Sequence, residues 1–297
     1  MREPPLIRPL ADGRRVHLHD GPIDLILEAW GPPAAVRAAY RAAAVRMNGL
    51  LDELCLELAI LRAPVGDLSP VPAGPVARRM HQAVQPYAAD CFITPMAAVA
   101  GAVAEAVLAA MVHSAPLDRA YVNNGGDIAL HLAPGESFTS GIVDRPDQPS
   151  LIGTARVEAR DAVRGIATSG RHGRSFSLGI ADAVTILAAG AADADAAATI
   201  VANAVDLPDH PDIVRVPADS LDPDSDLGSR LVTRDVPLLP AAERDRALHG
   251  GLRRAAGLIS AGRIVAASLH LQGVTRTIGL FGQIDQETEP VRRMHHA

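Results

Sequence analysis

Residues 120–132 read Ala-Tyr-Val-Asn-Asn-Gly-Gly-Asp-Ile-Ala-Leu-His-Leu, and they decide the kind of fold this chain adopts. Before them, apolar residues recur at helical spacing. Here the period falls to two, which puts alternate side chains on opposite faces of an extended chain. Asn-Gly is a favoured turn pair, so short strands at 120–123 and 128–132 are expected on either side of it.

The same spacing continues at 137–144, 154–160, 163–168 and 180–187, and it closes the chain at 264–271 and 275–279. Upstream, short strands are expected at 15–18 and 23–28. Residues 34–61 are rich in alanine and leucine and predict one long helix or two short ones. Four prolines in 64–75 predict a loop, followed by a short helix at 76–85. A further helix is expected from Pro95, with Thr94 as N-cap, to about His113, where Pro116 stops it. Helices at 193–205 and 241–261 flank a polar, proline-bearing stretch at 207–228.

Helices are grouped and strands are grouped, rather than alternating one for one. That pattern predicts an α+β fold with mainly antiparallel sheets packed with helices, not a doubly wound parallel sheet. A length of 297 residues suits a single domain over 1–297, with an internal duplication whose boundary falls near 115–120.

Composition narrows function. A net charge of −6 and an aromatic content of 3% leave neither a basic footprint nor a stacking platform for nucleic acid. All 28 basic residues are arginine. Phosphate-loop and Schiff-base chemistry, which need the lysine amine, are therefore excluded. Cys55 and Cys91 sit in apolar sequence without a CxxC pattern and read as buried free thiols. The first 20 residues carry four arginines and no apolar core, so they do not read as a secretory signal. The apolar run at 96–112 is mostly alanine and valine around Glu105, which fits a buried helix rather than a membrane span. A cytoplasmic protein is expected.

Three segments could carry chemistry. In Asn123-Asn124-Gly125-Gly126-Asp127 the two glycines mark either an ordinary hairpin turn or a place where a ligand approaches the backbone. Thr168-Ser169-Gly170-Arg171-His172-Gly173-Arg174-Ser175 offers hydroxyls, arginines and open backbone, which suit a phosphate or a solvated loop equally. In the third, Asp195 and Thr199 lie four apart and share a helix face. They read as hard oxygen ligands for magnesium or as residues of an ordinary helix start beside Asp193.

Taken in order, these segments resemble the ApbE superfamily of FAD:protein FMN transferases. The similarity is carried by Gly125-Gly126-Asp127-Ile128, Ile166-Ala167-Thr168-Ser169-Gly170, Val184-Thr185-Ile186, and Ala194-Asp195 with Thr199. Met96-Ala97-Ala98-Val99-Ala100-Gly101 is similar to the family's helix-opening segment. The likeness covers roughly residues 90–205 and is closest to the short cytoplasmic ApbE-like branch. It implies a duplicated T-fold with FAD between its halves. Asn124, Gly125, Gly126, Asp127, Thr168, Ser169 and Gly170 would then line the dinucleotide, and Asp195 and Thr199 would hold magnesium. The resemblance is compatible with a small-molecule nucleotide or flavin as partner, with a homodimer and with an acceptor protein.

The chain also departs from the family. Transferases carry a His-x-x-Asp-Pro segment where this chain has Gly179-Ile180-Ala181-Asp182-Ala183. The aspartate is kept as Asp182, but glycine stands in place of the histidine, and Gly101 stands where the family has lysine. Losing a positioned base costs a proton-transfer step about 10²–10⁴-fold. His172, in a glycine-flanked loop beside the Thr-Ser-Gly segment, reads as a surface residue or as the base able to substitute, so His172 and Asp182 are the catalytic candidates. The expected activity is FAD binding with magnesium, either with action on the pyrophosphate or as a nucleotide- or flavin-binding module without turnover. The alternative is an ApbE-like scaffold for a different small molecule, and little or no FMN transfer is expected in any case.

Overall fold

A computed structural model describes residues 4–145, 147–148 and 150–279. The chain opens with β1 (Leu6–Pro9), β2 (Val16–Asp20) and β3 (Ile23–Trp30), then α1 (Pro33–Met47), α2 (Leu50–Leu56), α3 (Leu58–Leu61) and α4 (Pro75–Val84). Next come α5 (Val99–Ser114), β4 (Arg119–Asn124), β5 (Asp127–Leu132), β6 (Ser137–Val143), β7 (Leu151–Glu158), β8 (Gly165–Ser169) and β9 (Ala183–Ala188). It closes with α6 (Ala191–Ala204), β10 (Val214–Pro217), β11 (Leu231–Asp235), α7 (Ala241–Ser260), β12 (Ala266–Leu271) and β13 (Val274–Gly279).

Nine strands form one antiparallel sheet in the order β1-β2-β3-β4-β5-β8-β9-β12-β13. Strand alternation gives it two different faces. Leu25, Leu27, Val122, Ala129, Ala167, Val184, Ile186 and Leu269 face the helices and join their buried residues in one core. The opposite face buries Leu130, Leu132, Ile166, Leu187 and Ala266 under Ile142, Ala155 and Val157 of the β6–β7 hairpin. This double cover is why β9 and β12 are buried along their whole length. The sheet contains β2-β3-β4-β5 and then β8-β9-β12-β13, each group being a hairpin, helices, and a second hairpin. Residues 115–120 join α5 to β4 inside the first group.

The helix layer is built from small residues. Ala35, Ala39, Ala43 and Met47 line the buried face of α1, and α6 buries nine residues, of which seven are alanine. Backbones can therefore approach closely. A Cβ on Gly101 would lie 2.3 Å from the Ala191 carbonyl oxygen, so the first turns of α5 and α6 touch. Each helix caps the other. Glu105 accepts from the Ala192 N–H at 3.0 Å, while Asp195 accepts from the Gly101 N–H at 3.0 Å. Arg79 of α4 ties the layer together, with Nε 2.7 Å from Glu105 Oε2 and Nη2 2.6 Å from Asp193 Oδ2. The helix from Pro95 to Ser114 has a mean hydropathy of 1.8 and the length to cross a membrane. Here it lies in the helix layer against α1, α6 and the sheet, with Gly101 to Ala104, Val107 and Met111 buried.

Several expectations are corrected. Thr94 does not cap the helix after it, because its hydroxyl bonds Asp226 instead. Residues 34–61 break into three helices, with Asn48 and Gly49 separating α1 from α2. The stretch at 207–228 holds β10, which pairs with β11 in a small hairpin. The strand expected from 180 begins at Ala183, since Ile180 donates to Val205 and Asp182 to the His270 carbonyl, outside the ladder. The cysteines are free, but Cys55 is exposed and Cys91 half-buried; helical spacing turns Cys55 away from Leu54, which is buried.

Candidate functional site

Three of the polar segments meet at one end of the sheet. β4 ends at Asn124, and the turn runs through Gly125 (φ 66°) and Gly126 (φ 113°), which L side chains rarely adopt. β5 begins at Asp127, whose carboxylate points to the helix side, as Ala129 does two residues on. At the far end of β8, a Cβ on Gly165 would lie 2.1 Å from the Gly190 carbonyl carbon. This contact seats the start of α6 on the sheet. One turn along, Asp195 arrives level with Asp127, and Thr199 follows on the same helix face.

Hydrogen bonds fix the arrangement. Asp127 Oδ1 accepts from the Thr168 N–H at 3.2 Å. Asp195 Oδ2 accepts from Gly101, and Asn124 Nδ2 donates to the Ala100 carbonyl at 3.2 Å. Both aspartates are half-buried, yet the protein packed round their carboxyls removes enough water to shift them strongly. Burial pushes Asp127 up to about 7, against the pull of the Thr168 N–H and of Arg174. Burial also raises Asp195 well above the carboxylate range, and the charge of Asp127 adds to it. Two carboxyls that oppose each other's ionisation are short of positive charge. Arg174 is the basic side chain that reaches this end, its guanidinium carbon 3.5 Å from where a Cβ on Gly125 would sit.

The remaining candidates form a second group. Thr168 turns its hydroxyl to the opposite sheet face, 2.9 Å from that of Thr185. Thr185 is in register with Ser268, and Ser268 with Thr277, so four hydroxyl residues line one row across β8, β9, β12 and β13. Ser169 closes β8, and at Gly170 a Cβ would come within 2.4 Å of the Asp182 carbonyl oxygen. Asp182 is buried and binds Arg171 through Oδ1 at 2.7 Å and the Gln272 N–H through Oδ2 at 2.5 Å. His172 Nε2 lies 3.2 Å from Asp182 Oδ1 without the alignment of a hydrogen bond. Its Nδ1 is 3.8 Å from Asp147. Burial lowers the His172 pKa, and Arg171 and Arg145 lower it further. All three effects favour the neutral ring, and the carboxylates that act on it are Asp182 and Asp147 rather than Asp127 and Asp195.

The structure thus brings Asn124, Asp127 and Asp195 together on the helix side, leaves Thr199 one turn beyond Asp195 on the same helix face, and sets His172 beside Asp182. Sequence reasoning missed the contacts of Asn124 with Ala100 and of Arg174 with the glycine turn, and the row of hydroxyls. Each depends on which strands and helices become neighbours. Two cavities, of about 450 Å³ beside Arg79, Ala129 and Asp193 and about 860 Å³ beside His210 and Arg246, are not lined by these residues.

Comparison with known proteins places the chain. It is 38% identical over 142 residues to a UPF0280 protein of Methanopyrus kandleri, covering 48% of this chain and 53% of that protein. A UPF0280 protein of Methanosarcina acetivorans is 36% identical over 180 residues, 58% of this chain and 66% of the relative. One from Methanothrix thermoacetophila is 34% identical over 145 residues, 45% and 53% respectively. The chain thus spans less than two thirds of the length of these curated relatives, and about half in two of them. The family model described as AbpE bacteria matches residues 7–277, and the chain belongs to that family.

Proposed function

We propose that this member of the AbpE bacteria family binds a flavin nucleotide, FAD, together with magnesium, and does not transfer FMN. The observation that carries the reading is the pair Asp127 and Asp195, two carboxyls on the helix side of the sheet whose ionisation burial opposes, the charge of Asp127 opposing that of Asp195 further. A divalent cation would relieve that repulsion. Magnesium prefers such carboxylate oxygens and completes its shell with phosphate and water. Asp195 is held in place by the Gly101 N–H on Oδ2, and Thr199 adds a hydroxyl one turn on. When bound, magnesium would neutralise pyrophosphate charge. The chain's own part is to hold the anion, with the open backbone of Gly125 and Gly126 and with the Arg174 guanidinium beside it. The hairpin–helices–hairpin repetition supports the duplicated T-fold that the ApbE resemblance implies. Cytoplasmic residence belongs to the same proposal.

Binding without transfer follows from two glycines. A Cβ on Gly179 would lie 2.3 Å from the Ala202 carbonyl oxygen and 2.9 Å from that of Val205. The backbone of α6 therefore occupies the space that the family's histidine needs. Gly101, which stands where the family has lysine, is closed off in the same way by Ala191. His172 lies beside Asp182 and Asp147 with its Nε2 unbonded, and its charged neighbours do not include the carboxylate pair.

Fluorescence quenching of FAD, titrated with and without magnesium, tests the reading. Magnesium should tighten binding at least about tenfold, the size of a modest coupling free energy, and Asp195→Ala should remove the difference. Equal affinity with and without magnesium in the unaltered protein would reduce Asp195 to a helix cap.

A further inference from the structure

We infer that the outer face of β2 and β3 carries a second, separate metal site, His17–His19–Asp24, for a borderline divalent cation of the zinc class. β2 turns Val16, Leu18 and Asp20 inward, so His17 and His19 project together from the opposite face, two residues apart. Asp24 stands directly across from His19 in the β2–β3 register, on the same face. One nitrogen from each ring and one Asp24 oxygen all lie within 4.8 Å of one another. The rings are tilted by 44°, with centroids 6.1 Å apart, so they do not stack and their nitrogens can converge. Zinc bonds of about 2.0–2.1 Å space tetrahedral ligands about 3.4 Å apart, so rotamer adjustments of about 1 Å close the set. Two imidazoles and one carboxylate suit zinc and its neighbours rather than magnesium or calcium, which prefer all-oxygen shells. The fourth position opens to solvent.

The surroundings give the site a specific chemistry. The His17 side chain is only 12% exposed, so its ring is already held. Its Nε2 lies 2.7 Å from Asp24 Oδ1, and its Nδ1 accepts from Arg8 Nε at 3.1 Å. An Nδ1 that accepts leaves the ring proton on Nε2, facing Asp24. A metal taking Nε2 must release that proton to solvent, and Nδ1 must then become the protonated nitrogen. Arg8 opposes this, because it needs Nδ1 as an acceptor. Arg174, 3.8 Å from Asp24 Oδ2, is the other cation nearby. Arg8 is exposed and free to swing away, so its removal should favour the metal. A plain hydrogen bond from the His17 Nε2–H to Asp24 has the opposite requirement, since Arg8 then helps to keep the proton on Nε2.

Calorimetric titration with zinc sulfate, after EDTA treatment of the full chain, separates the two. The site expects one zinc per chain, weakened at least tenfold in His19→Ala and in Asp24→Asn and tightened several-fold in Arg8→Ala. His19 is exposed, so its variant leaves the fold intact, and the thermal midpoint without metal checks this. No zinc binding, or binding unchanged in His19→Ala, overturns the site. Magnesium-dependent FAD binding is read separately, on the unaltered protein and on His19→Ala, because Arg174 lies beside Asp24 as well as beside the glycine turn.

Discussion

Asp127→Asn should stabilise the metal-free protein, and the size of the gain follows from the carboxylate pair. A carboxyl that keeps its proton up to about 7 in the folded chain, against an ordinary value near 3.8, penalises folding once ionised. At about 1.4 kcal/mol per tenfold, the penalty comes to roughly 4 kcal/mol at high pH. The opening of Asp127 to solvent brings the expected gain to about 2–4 kcal/mol. Asparagine keeps the oxygen that accepts the Thr168 N–H, so the substitution removes charge and little else. Below pH 4 both the folded and the unfolded chain hold the proton, and the variant gains nothing. Between pH 4 and 7 the unfolded chain ionises first, so the unaltered protein loses stability as pH rises and the variant does not. Above pH 7 the difference levels off. For a chain of this length it amounts to roughly 5 °C in thermal midpoint. Urea denaturation from pH 4 to 8, in EDTA, measures it directly. Equal midpoints at pH 8, or a gain that does not grow between pH 4 and 7, would refute the reasoning. Magnesium should then shrink the difference by stabilising the unaltered protein alone.

Two further outcomes follow. Gly179→Ala, which forces a Cβ to 2.3 Å from the Ala202 carbonyl, should cost about 1–3 kcal/mol in urea denaturation, the usual size for overpacking; no loss would mean that α6 yields and the position could have housed a histidine. Incubated with FAD, magnesium and a threonine-bearing acceptor domain, the protein should leave no in-gel flavin fluorescence on the acceptor, and labelling that disappears in His172→Ala would show that the loop supplies its own base.

How much was legible in the sequence depends on the range of the interaction concerned. Local periodicity and turn chemistry determined the α+β class, the hairpin at Gly125 and Gly126, and the helices near 76–85 and 241–261, because each arises among residues a few positions apart. Thr94 shows where local reasoning stops. Its sequence context is that of an N-cap, but its hydroxyl bonds Asp226, 132 residues away. The short strands β10 and β11 were hidden because prolines and charges disguise a small hairpin lying at the surface. The sequence placed Asp127, Thr168, Asp195 and Thr199 on one list by the order of their motifs. Only the tertiary structure set Asp127 against Asp195 on the helix side and turned the Thr168 hydroxyl to the opposite sheet face while its N–H bonds Asp127. It alone set His172 beside Asp182 and pressed Gly179 and Gly101 against carbonyls of α6. Motif order is a property of the chain, whereas burial and charge repulsion are properties of neighbours. Those neighbours come from sheet register and helix packing, which single-residue preferences do not specify.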